Sequence, residues 1–414
     1  MSSDKKDREY FKEIAKRALE KKAPLGNDID TLNFIVKDKD EPELQDLSSV
    51  PKNLEKTLIN VGIDINERNR SGTYIQEGNK VGFCRSLDKE KVEILPIGVA
   101  LKKYDWLWDY YWKAIPVDTD KYTAETEMVD EVQGYFIHAK EGANDIFPIQ
   151  SCLFLNLEGL KQIVHNIIIT EPNSKLNVIT GCTVHPHVRR GLHLGTSEFY
   201  LKENSQLTFT MIHYWSEKTA VRPRTAIIQE KNTSFINNYV LLSSVNDIQS
   251  NPITYLNGDN AQCYFQTLIH GKGNSIIDLG ARSILKGSNT KAELISKIIG
   301  DDNSYVVSRG EITGIGYNSY GHIACNGLLI SNNAKIDSIP RIKAETIHTT
   351  LTHEASVGKI GEDQILYLKS RGLNEEEARD LIISGFLEVD TSNLPKELAE
   401  ETKKLIEIAS KAAG

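Results

Sequence analysis

Asparagine recurs at nearly constant intervals through the middle of this 414-residue chain. The successive steps are 14, 14, 15, 14, 15 and 15, and the series consists of Asn246, Asn260, Asn274, Asn289, Asn303, Asn318 and Asn333. Asparagine tolerates the left-handed backbone of tight turns and bonds its own main chain there. If each asparagine marks a turn between strands, two steps make one coil of about 29 residues, as in a two-sheet solenoid.

Short phrases of a common pattern accompany these asparagines. NGDNAQCYF at 257–265, GSNTKAELI at 287–295 and SNNAKIDSI at 331–339 each place a small, a polar and then an apolar residue after the asparagine. The apolar residue begins the alternation of a strand that buries one face. The pattern therefore predicts a mainly β fold whose parallel strands stack coil upon coil.

Three regions follow from the change of pattern along the chain. We predict a mixed, partly helical N-terminal region at 1–130, a parallel β-solenoid core at 131–355 and a helical C-terminal domain at 356–414. The C-terminal domain should contain helices at 361–371 and 374–386 and a third starting near Pro395. A solenoid leaves open sheet edges at its two ends, so we expect the terminal helices to cap them.

An aromatic run precedes the solenoid. The segment 104–124 holds three of the four tryptophans, and we expect it to be a helix that packs its rings against the end of the stack. A peptide-binding or cofactor-binding role is the minority interpretation of the same residues.

The charge balance excludes one class of partner. Lys and Arg total 49 against 57 Asp and Glu, which gives a net charge of -8 and leaves no basic footprint for nucleic acid. The sequence has neither an apolar run long enough to span a bilayer nor the apolar core of a signal peptide at its start. We therefore expect a cytoplasmic protein.

The cysteines are few and scattered. Five occur, at Cys84, Cys152, Cys182, Cys263 and Cys325, with no CxxC pair among them. An odd number at wide spacing argues against a disulfide framework, a zinc ribbon and a ferredoxin-type site. Any metal cluster on this chain must use other ligands as well.

The strongest candidate site is Cys325 with Glu354, and His353 beside the glutamate. The cysteine and the glutamate are one such coil apart in the sequence, so the coil would stack them on neighbouring strands, roughly 4.8 Å from each other. A thiolate and a carboxylate at that separation suit a metal centre. A buried carboxylate needs a cation, and no Lys or Arg lies within two positions of either residue.

His353 should face away from Glu354, because side chains alternate along a strand. The two can share one centre only if the strand ends or bends there, or if His353 reaches a partner subunit.

A second group, Cys182, His185, His187 and His193, lies within 12 residues. Its composition resembles a zinc site, but the spacing matches no standard one and Pro186 holds the two nearest histidines in an extended loop. We favour structural roles for all four.

Several blocks resemble one family. LTHEASVGKIGEDQILYLKSRGLNEEEARDLIISGF at 351–386 is similar to the C-terminal block of the SufB/SufD iron–sulfur cluster assembly scaffolds. The segments WLWDYYWKAIPVDTDKYTA, VITGCT at 178–183 and GHIACNGLLISNNAKIDSIPRIKA resemble further blocks of that family, from about residue 100 to the end.

The resemblance implies a fold and a function. It implies a right-handed parallel β-helix with helical ends, two such subunits side by side, and C-terminal helices that bind a SufC-like ABC ATPase. A transient cluster, expected to be of the [4Fe–4S] type, would form at the interface between the two subunits. By the same resemblance Cys325 and Glu354 match the ligands of SufB, and His353 matches the interface histidine of SufD. Because this one chain carries both the SufB ligands and the SufD histidine, the resemblance implies a homodimer.

At two positions this sequence differs from SufB. The sulfur-accepting cysteine of SufB would align near Ile228, and a second glutamate of SufB is Thr352 here. Sulfur would then arrive as sulfide or by another route.

The leading hypothesis is therefore a non-enzymatic scaffold for cluster assembly, with ATP hydrolysis supplied by the partner and with apoproteins or carriers as recipients. One alternative to the homodimer is pairing with a SufD-like paralogue. The alternative functions are a SufD-like structural subunit that lacks its own cluster and only supports a catalytic partner, and a β-helix enzyme acting on polysaccharide. The last needs a strip of carboxylates with Arg or Lys, and the repeats show none.

Overall fold

The computed structural model of the chain describes residues 7–36, 47, 52–144, 147–387 and 400. Its helices are α1 (Arg8–Lys16), α2 (Lys52–Asn60), α3 (Ile97–Lys103), α4 (Lys121–Glu127), α5 (Glu362–Ser370) and α6 (Glu375–Phe386), with 3-10 helices at Thr31–Asn33 and Asp105–Asp109. Its strands are β1 (Gly72–Glu77), β2 (Lys80–Ser86), β3 (Val92–Pro96), β4 (Tyr135–Ala139), β5 (Ile149–Leu155), β6 (Leu160–Thr170), β7 (Lys175–Val184), β8 (Arg190–Leu201), β9 (Gln206–Tyr214), β10 (Lys218–Gln229), β11 (Ser234–Leu241), β12 (Asp247–Ser250), β13 (Ile253–Leu256), β14 (Gln262–Gly271), β15 (Ile276–Leu285), β16 (Lys291–Gly300), β17 (Tyr305–Gly314), β18 (Ser319–Leu329), β19 (Lys335–Ala344) and β20 (Thr349–Lys359).

The strands form a parallel β-solenoid of about eight coils, as the sequence predicts. From β4 onward consecutive strands alternate between two sheets, except that β12 and β13 lie in the same sheet. The first sheet has the order β2-β1-β5-β7-β9-β11-β14-β16-β18-β20, and the second has the order β19-β17-β15-β12-β10-β8-β6-β4-β3, with β13 also paired between β10 and β15. Only β2 on β1 and β3 on β4 pair antiparallel among the described strands.

The predicted asparagine turns are present, but of the predicted series only Asn260, Asn289 and Asn318 have left-handed φ angles. Six asparagines along one corner have left-handed φ angles of +54° to +61°, and their side-chain amides form a continuous hydrogen-bonded ladder of 2.8–3.3 Å; they are Asn173, Asn204, Asn232, Asn260, Asn289 and Asn318. Asn333 donates to Asn303 in the same way at the opposite corner, over 3.0 Å. Each asparagine step in the sequence thus measures half a coil.

The two ends of the solenoid differ. At the first end, β2 and β3 lie against each other and Val92 and Ile94 join the buried core. At the last end, inward-facing residues of β19 and β20 remain exposed, with Ile342 at 38% and Val357 at 44%. Among the described residues, nothing covers this hydrophobic interior.

Helix α1 and the aromatic segment pack on an outer face of the solenoid and not on its end. The outward-facing Ile167 and Ile169 of the second sheet contact the aromatic segment and α1 in one buried cluster, whereas Ile168 between them faces the solenoid core. Within the aromatic segment, the main-chain N–H groups of Trp112 and Ala114 donate to the buried Glu198 carboxylate, over 2.8 and 2.6 Å. The expectation of a helix against the end is wrong, because this segment forms a short 3-10 turn on the sheet surface.

The C-terminal helices also pack on an outer face. Leu328 and Ile330, at the end of β18, pack against a cluster that contains Ile365 of α5 and Ala378 of α6. The predicted helices at 361–371 and 374–386 are confirmed, but they leave the last end of the solenoid open, so the expectation that they cap it is wrong. The predicted helix from Pro395 lies outside the described residues. Among the described helices, none is long and apolar enough to cross a membrane.

Candidate metal centre at the last coils

Cys325 does not stack on Glu354. In the pairing of β18 with β20, Cys325 lies opposite Ala355, and Glu354 lies opposite Ala324. In the preceding coils of this sheet, Gln262 pairs with Lys291 and Lys291 with Tyr320, whereas in the last coil Tyr320 pairs with Thr350. The last coil is thus one residue longer than the two before it, and the predicted stacking is wrong by that residue.

One residue of offset places the two side chains on opposite faces of the sheet. Cys325 is 3% exposed and belongs to the solenoid core together with Ile323. Because successive residues of a strand face opposite sides, Glu354, which pairs with Ala324, lies on the outer face. Glu354 is also exposed, so the sequence argument that a buried carboxylate needs a cation does not apply.

His353 lies on the same face as Cys325. It pairs with the core residue Ile323, two positions from the Ala355 that covers Cys325. A strand spacing of about 4.8 Å and two residues of rise put Cys325 and His353 roughly 8 Å apart at Cα. His353 and Glu354 face opposite sides, as predicted, and the imidazole is exposed at the open end.

Two serine hydroxyls adjoin the Cys325 thiol. The Ser308 hydroxyl lies 3.8 Å from Cys325 Sγ and 2.9 Å from the Ser296 hydroxyl. Ser296 pairs with Cys325 on the neighbouring strand, and Ser308 reaches them from the opposite sheet. Sequence reasoning missed both residues, although Ser296 precedes Cys325 by the coil length that the asparagines indicate.

Polar side chains flank Glu354 on the outer face. His322 Nδ1 and the Thr352 hydroxyl lie 2.8 Å apart, and the Ser356 hydroxyl donates to Asn326 over 2.9 Å. Thr352, the position where SufB carries a second glutamate, thus pairs with a histidine.

The second predicted group is dispersed. Cys182 and His193 face the solenoid core, where burial raises the pKa of the Cys182 thiol and lowers the pKa of His193 to about 4. His193 Nδ1 lies 2.8 Å from the Gln162 side-chain oxygen, whereas His185 and His187 lie in the turn outside, with ring centroids 4.1 Å apart. No group of three metal-ligating side chains converges anywhere in the described ranges.

Ile228 lies on the outer face of the second sheet. It packs against the cluster that holds the aromatic segment, away from the core that contains Cys325. A side chain at this position faces the N-terminal region.

The C-terminal helices present a mixed surface. Leu366 and Tyr367 of α5 and Leu381 of α6 are exposed, and the first turn of α6 carries three consecutive glutamates. Acidic groups at a helix N-terminus stabilise the helix through its dipole.

Residues 154–386 match the family model described as "SUF system FeS cluster assembly, SufBD core domain". A protein of Methanothermobacter thermautotrophicus named Iron-sulfur cluster assembly SufBD family protein is 45% identical over 401 residues, which cover 96% of this chain and 98% of the relative. A protein of the same name from Archaeoglobus fulgidus is 42% identical over 357 residues, 86% of this chain and 95% of the relative. A third, from Staphylococcus saprophyticus, is 27% identical over 92% of this chain and 82% of the relative.

The family match spans more than half of the chain, and the archaeal relatives align over nearly its whole length. The chain therefore belongs to the SufBD family of iron–sulfur cluster assembly proteins.

Proposed function

We propose that this chain is a cytoplasmic scaffold on which iron and sulfide assemble into a cluster, and that two copies meet at the open ends of their solenoids. The observation that carries the proposal is the shared interior face of Cys325 and His353 at that end. A thiol and an imidazole there lie where a second copy would bring its own pair.

The open end supports self-association. Ile342 and Val357 expose apolar surface that the preceding coils bury, and the outer edges of β19 and β20 pair with no described strand. Apolar side chains and unpaired edges favour contact with another sheet end. A homodimer satisfies both, and pairing with a SufD-like paralogue is the alternative.

The ligand chemistry fits a cluster that is passed on. Thiolate and imidazole both bind iron, and His ligands replace Cys in some cluster sites. A mixed set holds the product, a transient [4Fe–4S] cluster, less firmly than four thiolates would. Glu354 lies on the outer face, so its carboxylate reaches the interior-facing pair only across the contact with a second copy.

The energy source is a partner. In this proposal a SufC-like ABC ATPase docks on α5 and α6, where Leu366, Tyr367 and Leu381 are exposed. The scaffold itself performs no catalysis, and recipient apoproteins or carriers take the cluster.

Anaerobic reconstitution with ferrous iron and sulfide tests the proposal. The wild type should hold a cluster by absorption and Mössbauer spectroscopy, and Cys325→Ala should not. Cys263→Ala is the matched control, because Cys263 is another buried core cysteine, two coils earlier in the same sheet. A cluster retained in Cys325→Ala would reject the site.

Co-purification identifies the assembly. The proposal expects the tagged chain to bring down an ABC ATPase and a second copy of itself, with no other β-solenoid protein. A stable complex that always contains a paralogue in place of the second copy would favour the SufD-like alternative.

A further inference from the structure

A chain of two serine hydroxyls ends at the Cys325 sulfur. The Ser308 hydroxyl, on the second sheet, lies 3.8 Å from Cys325 Sγ and 2.9 Å from the hydroxyl of Ser296. Ser296 is the in-register neighbour of Cys325 on the first sheet. Leu294 and Ile323 belong to the apolar core around them. The hydroxyl chain therefore runs through the hydrophobic interior to the proposed iron ligand.

The fold does not require a hydroxyl at position 308. One coil earlier, Leu279 occupies the corresponding place in the second sheet and packs in the apolar core. Ser308 is 2% exposed, and a buried hydroxyl costs free energy unless it is hydrogen-bonded. Its printed contacts are with Ser296 and Cys325, so the position of this serine matches the cysteine and not the needs of the core.

The number of protons fixes the direction of the chain. Each serine hydroxyl has one proton to donate. A cysteine sulfur that binds a metal is deprotonated and only accepts, so Ser308 then donates to it and Ser296 donates to Ser308. When the sulfur carries its own proton the chain can reverse, because the Ser296 hydroxyl lies 3.5 Å from the Ala324 carbonyl oxygen. Both states are hydrogen-bonded without movement of a heavy atom.

We propose that Ser308, oriented by Ser296, is a positioning residue that donates a hydrogen bond to the Cys325 sulfur when that sulfur binds iron. Such a bond stabilises negative charge on the sulfur and therefore favours the reduced, more negative state of a bound cluster. This inference rests on the proposed assembly function and adds to it a residue that contacts the ligand and not the iron.

The reduction potential of the reconstituted cluster tests the role. Ser308→Ala should bind as much iron as the wild type, because every proposed ligand remains, and its cluster should have a more negative potential in an anaerobic redox titration. Ser308→Thr keeps a hydroxyl and should return the potential to the wild-type value. Ser283→Ala is the matched control: it removes a buried hydroxyl that lies 3.3 Å from Cys263, a cysteine outside the proposed site, and should leave the potential unchanged.

Two results would overturn the proposal. One is an equal potential in the wild type and Ser308→Ala. The other is a loss of iron in Ser308→Ala that Ser308→Thr shares, since this would indicate a packing role for the serine.

An iron-free measurement separates the hydrogen bond from the assembly function. The S–H stretching band of Cys325 in the infrared spectrum of the full chain is identified by its loss in Cys325→Ala. Ser308→Ala should shift this band, and Ser283→Ala should leave it in place. A band that does not shift in Ser308→Ala would refute the hydrogen bond, whereas a shifted band in a chain that assembles no cluster would support the bond and reject the assembly function.

Discussion

Cys325 lies directly opposite Ala355 on the next coil, and Glu354, one residue before that alanine, faces the other side of the sheet. The relationship makes a covalent test possible. In-register neighbours on parallel strands have Cα atoms about 4.8 Å apart, within the range that a disulfide accepts.

We predict that Ala355→Cys forms a disulfide with Cys325 under mild oxidation and that Glu354→Cys does not. The reason is the face of the sheet that each introduced thiol occupies. Peptide mapping by mass spectrometry, with and without reductant, detects the bond. A disulfide in Glu354→Cys and none in Ala355→Cys would restore the register that the sequence predicts.

The same geometry predicts how much His353 and Glu354 each contribute to iron binding. His353→Ala should lose most of the bound iron after anaerobic reconstitution, because His353 shares the interior face with Cys325. Glu354→Ala should keep more than half, since its carboxylate lies on the outer face. Iron and acid-labile sulfide per chain provide the measurement, and the opposite order would show that Glu354 is the nearer ligand.

The asparagine ladder should contribute measurably to stability. Asn289 donates to Asn260, accepts from Asn318 and has a φ of +56°. Asn289→Ala should lower the free energy of unfolding by about 3–4 kcal/mol, through two hydrogen bonds of about 1 kcal/mol each and a left-handed penalty of about 1–2 kcal/mol. Urea denaturation followed by circular dichroism measures the loss.

Asn289→Gly separates the two contributions. Glycine adopts the left-handed conformation without the steric penalty of a Cβ, so this variant should lose mainly the hydrogen bonds. Equal losses in the alanine and glycine variants would show that the backbone conformation costs nothing here.

Buried histidines should make stability fall in mild acid. Burial lowers the pKa of His193 to about 4, and burial likewise lowers the pKa of His270 to about 4. An unfolded histidine titrates near 6.5, so between pH 6.5 and 4 the unfolded chain binds protons that the folded chain does not. The free energy of unfolding should therefore decrease as pH falls through this window, by about 1.4 kcal/mol per pH unit for each such histidine.

His193→Gln removes one of these groups and should flatten the pH dependence by about that slope. His187→Gln is the control, because His187 is exposed in the turn. Denaturation at pH 7 and at pH 5 measures both, and an unchanged slope in His193→Gln would contradict the assignment.

The sequence allowed prediction of the solenoid because its signal is local. A turn depends on only a few neighbouring residues, and of the predicted asparagines Asn260, Asn289 and Asn318 occupy left-handed turns. The alternation after each turn then predicts which residues face the core. The faces of Cys325 and Glu354 were beyond this reasoning, since they depend on the register summed over a whole coil.

A signal for that register was nevertheless present. The last two asparagine steps, from Asn303 to Asn318 and from Asn318 to Asn333, are both 15 residues long. Together they make a coil of 30 residues, one longer than the 29-residue coil from Asn289 to Asn318. The average over the series concealed this longer final coil. Packing of the helical regions on the outer faces could not be predicted in the same way, because both an open end and a sheet surface accept an apolar helix face.

The closed first end and the open last end have a consequence for size. A solenoid with exposed apolar surface at both ends would bind further copies at each end without limit and grow into a fibre. Here β2 and β3 cover the interior at one tip, and only the tip formed by β19 and β20 exposes it among the described residues. When two copies join through their open ends, both of these apolar surfaces become buried. Association through the open end therefore stops at a pair.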